Sequence, residues 1–461
     1  MTIAAIDQGT TSTRALRLDD KGARIMHAVK HTVCYPRPGW VEQDAEELLR
    51  NILACLAAAA PVDAIGLANQ GESCLAWDAL SGAPLCPVIV WQDNRTSAWL
   101  EGLREAAPEV MARAGLPLDA YFPAAKFAWI LREIPQARAA LAAGRLRLGT
   151  TDAFFLDRLT GTFATDVTTA SRTSLMNIAT GQWDAELCRI FGVPPHALPQ
   201  IRDSAGAFGT YNGVPVRASL VDQQAALFGH GCRAPGDAKI TFGTGAFALA
   251  VTGASIIRAP GQGLLPTVAW SRAGQMHYAL EGGVYDAGAA VDWGMRLGLY
   301  ASVAELDSFQ APPAISRRLA FVPALSGLAC PHWDRSAAAL WVGMGADTTK
   351  RDMAQALLEG IALRTAEVVR AMDALVPLTR ISVDGGLTRS AYFIRFLANV
   401  LQREILLPAF DELTAFGCAA LAADGEVARP GGVRTVTPDV ADVAGWHETF
   451  TGAVRRAKGW R

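Results

Sequence analysis

Asp222 is the side chain in this chain best placed for acid–base chemistry. It follows the apolar run Ser219-Leu220-Val221 and opens the stretch Gln223 to Gly229, a spacing that predicts a buried strand delivering a carboxylate to a helix start. In α/β proteins, ligands and reacting groups collect where strand ends meet helix N-termini. A glycine-bearing turn lies on each side of it in sequence. In residues 4–18, a short apolar strand ends at Asp7 and turns through Gly9, Thr10, Thr11 and Ser12. In residues 239–251, a strand turns through Gly243-Thr244-Gly245. Glycine permits the tight bend, and the hydroxyls and N–H groups beside it can hold phosphate oxygens. Asp7, at a strand end, suits Mg²⁺, which takes a carboxylate or two together with waters. One base and two phosphate-holding turns together suit phosphoryl transfer to the hydroxyl of a small polyol or sugar. Each turn taken alone also fits a plain β-hairpin.

Other candidates are weaker one by one. Asn69-Gln70-Gly71-Glu72 is a polar loop able to present Glu72 to a hydroxylated ligand, although Glu72 standing alone reads more readily as a solvated loop acid. Trp91 ends the apolar run 88–91 and reads as core more readily than as a ligand wall. Tyr121 alone carries no information. Gly288 falls in an apparent helix within residues 281–299, and Gly385-Gly386 joins a strand at 381–384 to a helix from about Ser390 to Gln402. A strand, a glycine pair and a helix start suit a nucleotide lying over backbone, and also an ordinary turn. Residues 144–151, GRLRLGTT, resemble a Walker loop but carry Thr150 where its lysine belongs, so that reading fails. The seven histidines show no metal-ligand spacing.

These residues need large elements to position them. A chain of 461 residues implies about two domains. With 51% hydrophobic and 19% charged residues and 43 glycines, it has the composition of an α/β protein. The division is expected at the glycine- and proline-bearing stretch 230–236, giving domains 1–230 and 231–461, and that stretch is a candidate hinge. Long amphipathic helices are predicted from Asp44 to Ala60 and over 352–373, and a last clear one over 412–423. The net charge of −2 gives no reason to expect nucleic acid or an anionic membrane as partner. Eight scattered cysteines without a C-x-x-C pair, and an apolar strand beginning at residue 3, predict reduced thiols, no targeting segment and a cytoplasmic protein.

In order along the chain, DQGTTSTRA (7–15), GWVEQD (39–44), VWQDNRT (90–96), AAKFAWIL (124–131), TDVTTASRTSLMNI (165–178), DQQAALFG (222–229), FGTGAF (242–247), YALEGGV (278–284), PALSGLACPHWD (323–334) and VDGGLTRS (383–390) resemble the FGGY family of carbohydrate kinases, most of all its glycerol kinase branch. The resemblance implies an α/β, actin-like (ribonuclease H-like) fold of two domains. Each would be a mixed sheet flanked by helices, with a cleft between them. It implies ATP-dependent phosphorylation of a polyol, with Mg²⁺, and admits a homodimer. By position, Asp222 matches the catalytic base and Asp7 the Mg²⁺ ligand. Thr10, Thr11, Ser12, Arg14 and Thr244 match phosphate contacts, and Gly288 and Gly386 flank the nucleotide. Glu72, Tyr121, Asp222 and Gln223 match polyol-binding residues, while Trp91 and Phe247 match its aromatic walls.

The departures from the family pattern bear on substrate and regulation. Gly71 stands where that branch has an arginine beside the polyol, which predicts lost donors, more space and a substrate larger than glycerol, such as a tetritol or pentulose. Asp292 replaces a glutamine and Ser390 an asparagine near the nucleotide. Before the Asp222 strand only Tyr211-Asn212-Gly213-Val214-Pro215 is present, too short for the loop with which bacterial members bind a sugar bisphosphate. A catalytically silent sugar or nucleotide sensor is the alternative outside enzymes, against which stand the intact carboxylates and turn hydroxyls.

Overall fold

The apolar run at the N-terminus forms Ile3–Gln8, a central strand of a six-stranded mixed sheet in the computed structural model, which describes residues 1–423, 425 and 427–461. The sheet runs Thr210–Tyr211, Val214–Val221, Ala64–Asn69, Ile3–Gln8, Ser12–Asp19, Gly22–Lys30. Three of these strands are parallel, in a register that sets Gln8 beside Asn69 and Asn69 beside Val221. Their carboxyl ends therefore converge, and Asp7, Glu72 and Asp222 follow from that convergence.

A seven-stranded sheet repeats the scheme: Leu265–Arg272, Gln275–Val284, Ala246–Gly253, Asp237–Phe242, Arg380–Gly385, Ile405–Pro408, Val433–Val436. As Ile3–Gln8 pairs antiparallel with its hairpin partner and parallel with Ala64–Asn69, so Asp237–Phe242 pairs antiparallel with Ala246–Gly253 and parallel with Arg380–Gly385. The likeness between the two turns seen in sequence thus extends to topology. A buried face of the helix Lys350–Asp373 and the strongly amphipathic helix Ala391–Leu401 cover this second sheet.

Three expectations change. The run 88–91 is a strand only at Val88–Ile89, and it belongs to a separate four-stranded sheet with Glu42–Gln43, Cys74–Asp78 and Leu146–Thr150, leaving Trp91 in a loop. Residues 281–284 continue the strand Gln275–Val284, and the helix starts only at Gly288. The helix Leu413–Ala422 is not the last, for Ala444–Ala457 follows it and buries Phe450, Ala453, Val454 and Ala457 on one face.

The two sheets are joined at a crossing of helices. Leu413–Ala422 packs on the first sheet, against Ile3, Ala5, Ala68 and Ala218, and crosses the helix Asp222–Gly229. A methyl group on Gly417 would stand 1.9 Å from Ala225 O, and one on Gly229 2.0 Å from Leu413 O. The stretch 230–236 is clasped by the second sheet: buried His230 bonds Ser382 Oγ, and the Arg380 guanidinium donates to the carbonyls of His230 and Gly231. Glycine-to-alanine exchange normally stabilises a helix interior by about 1 kcal/mol. At Gly417 it collides with backbone instead, and overpacking of this kind costs about 1–3 kcal/mol. Gly417→Ala is expected to melt below the wild type. Gly452→Ala, whose added methyl meets only Arg456 Nη1 at 3.5 Å, should melt at or above it in the same thermal scans.

Candidate active site

Asp222 opens its helix with the Gln223 N–H donating to Oδ1 at 2.6 Å. Burial in the cleft pushes its carboxyl up to about 7; Asp7 and Glu72 act in the same direction, while Lys239 and the Gln223 N–H oppose them. Asp7 is likewise pushed up by burial, to about 6, with Arg14 opposing. A carboxylate poised near neutrality suits a general base, because it is largely free at working pH and still basic enough to take a hydroxyl proton.

A chamber of about 80 Å³ adjoins Asp222, walled by both sheets: Thr10 and Glu72 come from the first side, Phe247 and Glu281 from the second. Its charged centre is Arg172. Asp166 caps the short helix Val167–Ser171, accepting the N–H groups of Thr168 and Thr169 at 2.8 and 2.9 Å, and Arg172 leaves the end of that helix. There, 3% exposed, it donates from Nε to Glu72 Oε1 at 2.6 Å and pairs through Nη1 with Glu281 Oε2 at 2.5 Å. Burial raises the Glu72 carboxyl while Arg172 pulls it down.

Trp91 is a wall of this chamber and not core. Its ring packs edge-on against Tyr121 at 5.6 Å, and its Nε1 donates to Thr10 Oγ1 at 2.9 Å. Phe247 faces the chamber from the second sheet, where its register partner is Gly283, and a methyl there would meet the Phe247 ring at 3.2 Å. Buried Lys126 gathers the walls from behind, its ammonium donating to the carbonyls of Tyr121, Trp91 and Glu72 at 2.9, 3.4 and 3.5 Å. Lys239, fully buried on the strand Asp237–Phe242, donates to Gln223 Oε1 and, at 3.1 Å, to Thr241 Oγ1. Burial pulls its ammonium down, with Asp384 and Asp222 opposing.

A wider cavity of about 550 Å³ opens on the second sheet, lined among others by Thr244, Gly288, Asp292, Gly386 and Ser390. The Gly243–Gly245 turn sits on the N-terminus of the helix Gly288–Arg296: Gly288 N–H donates to Gly243 O and Ala289 N–H to Thr244 O, both at 3.0 Å. A methyl on Gly288 would lie 2.5 Å from Gly243 O, which accounts for glycine there. Gly386 has open space on its Cβ side. At the other turn, His31 Nε2 lies within hydrogen-bond distance of the carbonyls of Gly9 and Thr10, and Gln43 Nε2 donates to Thr10 O, so the loop is pinned from behind.

The structure does not bring every expected residue into contact with these cavities. Gly71 has a left-handed φ of +72°, its Cβ side faces Val221 Cγ1 at 3.2 Å, and it does not line the chamber, although Gln70 and Glu72 do. Arg14 pairs with Glu412 at 3.1 Å. Ser390 caps its helix, accepting the Phe393 N–H at 3.1 Å and donating to Leu306 O at 2.9 Å, so its hydroxyl builds the cavity wall. Arg172, Glu281, Lys126 and Lys239 were not singled out from sequence as site residues. Among the described residues no group of three or more potential metal ligands clusters, and no helix is long and apolar enough to cross a membrane.

A buried carboxylate in a small polar chamber, between two glycine turns contributed by two like sheets, suits a two-lobed phosphotransferase. The profile of the FGGY family of carbohydrate kinases, N-terminal domain, matches residues 2–229, and that of the C-terminal domain matches residues 238–424. The chain is 41% identical to a glycerol kinase of Geobacter sp. (strain M21) over 92% of this chain and 90% of that one, and 39% identical to one of Aromatoleum aromaticum over 99% of each. The crystal structure of Plasmodium falciparum glycerol kinase with ADP superposes with a TM-score of 0.90 at 28% identity, covering 99% of this chain and 98% of that one. A ligand-bound xylulose kinase from Lactobacillus acidophilus, 21% identical over 99% and 98% of the two chains, shares the fold with a TM-score of 0.88. The chain belongs to the FGGY family of carbohydrate kinases, with its actin-like α/β architecture, and is a phosphotransferase acting on an alcohol group.

Removing one partner of a buried ion pair strands the other and costs about 3–5 kcal/mol. Arg172→Met strands Glu72 and Glu281 and is expected to destabilise by about that much at pH 8. Carboxylates whose folded pKa is raised above the unfolded value lose stability as pH rises, because the native state then binds more protons than the unfolded one. The deficit relative to wild type should therefore shrink from pH 8 to pH 5, which denaturant titration at the two pH values will measure.

Proposed function

We propose that this protein transfers the γ-phosphoryl group of ATP to a terminal hydroxyl of glycerol. The observation that carries this reading is the meeting of Asp222 with the Glu72–Arg172–Glu281 cluster in one chamber of about 80 Å³. Glycerol is the acceptor by which the relatives of 41% and 39% identity are named. In this reading Glu72, Arg172, Tyr121 and Gln223 bind the hydroxyls, and Trp91 and Phe247 flank the carbon chain. Asp222 takes the proton of the reacting hydroxyl as its oxygen approaches the γ-phosphorus. Phosphoryl transfer leaves little covalent work for protein groups, so placement and charge neutralisation supply most of the acceleration.

Thr10, Thr11, Ser12 and Thr244 are proposed as phosphate contacts, with Arg14 joining them once freed from Glu412. Gly288 and Gly386 let backbone approach the nucleotide, and Asp292 edges that cavity. Asp7 is the proposed Mg²⁺ ligand: a carboxylate pushed up by burial and a like-charged neighbour fits a dication, which would supply charge neutralisation. We also propose two working lobes, 1–230 and 231–461, and a cytoplasmic location, supported by eight unpaired cysteines.

ATP consumption with glycerol, erythritol and a pentulose tests the reading: glycerol should give the highest kcat/KM, and equal or faster turnover of the pentulose would sink it. Asp222→Asn should lower kcat by about 10²–10⁴-fold, the usual worth of a general base. The same variant should melt above wild type at pH 8. The Asp222 carboxyl is raised in the fold from 3.8 to about 7, so its ionisation destabilises the native state at pH values above that range, and asparagine removes the charge. In the wild type, kcat/KM should fall with acidity below about pH 7.

Regulation by a sugar bisphosphate is not expected. Residues 210–215 form a hairpin whose two central residues, Asn212 and Gly213, are both left-handed, a tight turn without a loop to enclose a ligand. Fructose 1,6-bisphosphate at millimolar concentration should leave the rate unchanged, and a saturable inhibition curve would contradict this.

A further inference from the structure

Beyond the polyol chamber lies a second one of about 70 Å³, and the two share Tyr121, Arg172, Phe247 and Glu281 as a common boundary. Asp222, Gln223 and Glu72 line only the inner chamber; Phe122, Leu265, Ala329, Cys330 and Trp333 line only the outer. The reacting hydroxyl therefore belongs to the inner chamber, and any extension of the acceptor runs outward past the Tyr121–Phe247 neck.

The outer walls are mostly carbon, and the charged groups and the Trp333 indole N–H at their rim are engaged elsewhere. Arg335 pairs with Asp119 at 3.3 Å and lies over the Tyr285 ring at 4.4 Å. Trp333 Nε1 donates to Gly263 O at 2.7 Å, and Arg172 and Glu281 hold each other. A further hydroxyl entering here would give up its water with the Tyr121 and Tyr285 hydroxyls as its available partners, whereas an alkyl group would lose nothing on leaving water.

We infer that the outer chamber is an acceptor subsite for a short apolar substituent on the polyol end remote from Asp222, so that 1-O-alkylglycerols with chains of one to three carbons are substrates. This rests on the polyol-kinase reading above. The reaction is the same displacement. The free terminal hydroxyl gives its proton to Asp222, and its oxygen bonds the γ-phosphorus as the bond from that phosphorus to the β–γ bridging oxygen breaks and ADP departs. The ether oxygen takes no part.

The test measures kcat/KM for glycerol, 1-O-ethylglycerol and erythritol with ATP, in the wild type and in Ala329→Phe, which fills the outer chamber alone. The ethyl ether should come within tenfold of glycerol and at least tenfold above erythritol. Ala329→Phe should lower turnover of the ether at least tenfold and leave glycerol within threefold. If that variant does not fold, Leu265→Trp on the opposite wall serves in its place. An ether more than tenfold poorer than glycerol, an ether less than tenfold better than erythritol, or a filled chamber that slows both acceptors alike would overturn the inference. No phosphorylation of glycerol itself would instead overturn the reading on which it rests.

Discussion

The cleft is built around a concentration of acidic groups that water cannot fully solvate. Asp7 and Glu72 act on Asp222, and Glu281 acts on Glu72, with buried Arg172 and Lys239 among the cations that counter them. Arg172 stands between Glu72 and Glu281, and Lys239 between Asp222 and Asp384. Like charges in low dielectric repel strongly, so neither cation can be removed without forcing carboxyls to take up protons. The two glycine turns, at Gly9–Ser12 and Gly243–Gly245, present hydroxyls and backbone N–H groups instead. Burial and mutual repulsion also raise the Asp222 carboxyl to about 7.

Asp222 is the first residue of a helix whose other end contacts Leu413–Ala422 through glycines at backbone distance. The second helix in turn packs on the first sheet, and Glu412 just before it holds Arg14, on the strand that leaves the Gly9–Ser12 turn. A shift at the helix crossing would therefore displace Asp222 and that turn together. Tight backbone-to-backbone packing at Gly229 and Gly417 fixes their mutual distance, which no flexible side-chain contact could do as well.

What was legible in the sequence was local. Strand, glycine turn and strand at 4–18 and 239–251, the strand-to-helix step at Asp222, and the helix start near Ser390 depend on neighbours a few residues away. Arg172, Lys126 and Lys239 were not legible as site residues, because each acts on groups contributed by distant segments. Lys126 looks in sequence like a lone cation on an apolar helix, and only the fold shows three wall carbonyls converging on it. Trp91 was misread for a related reason: an apolar run can end in core or at a cavity, and the register that decides this is not local. The helix Ala444–Ala457 has a readable apolar spacing at Phe450, Ala453, Val454 and Ala457, but Gly445, Gly452 and an uncapped start at Val443 obscure it. Gly71 marked a real departure, yet its left-handed backbone turns the vacant side toward Val221, a direction that residue type alone does not give.

The two halves of the Arg172 cluster are unequal, and the inequality bears on how the site fills. The chamber is walled by residues of both sheets, so a parting of the lobes would act on this cluster. Glu72 and Arg172 lie on the same side of the cleft, Glu281 on the other. Parting therefore breaks the Arg172–Glu281 contact and leaves Arg172 donating to Glu72, with no guanidinium stranded. The group released, Glu281, is the more exposed of the two acids, at 16% against 6% for the side chain of Glu72, and is the one water can reach first. The Asp119–Arg335 pair at the outer rim is more exposed still, at 27% and 59%, and such surface pairs are worth no more than about 1 kcal/mol. These two ion pairs would break with their charges going to water, while the Arg172–Glu72 contact stays intact; the links that remain between the lobes there are the Gln224–Thr267 hydrogen bond and the apolar packing of Val167 and Ile178 on Val268 and Tyr278.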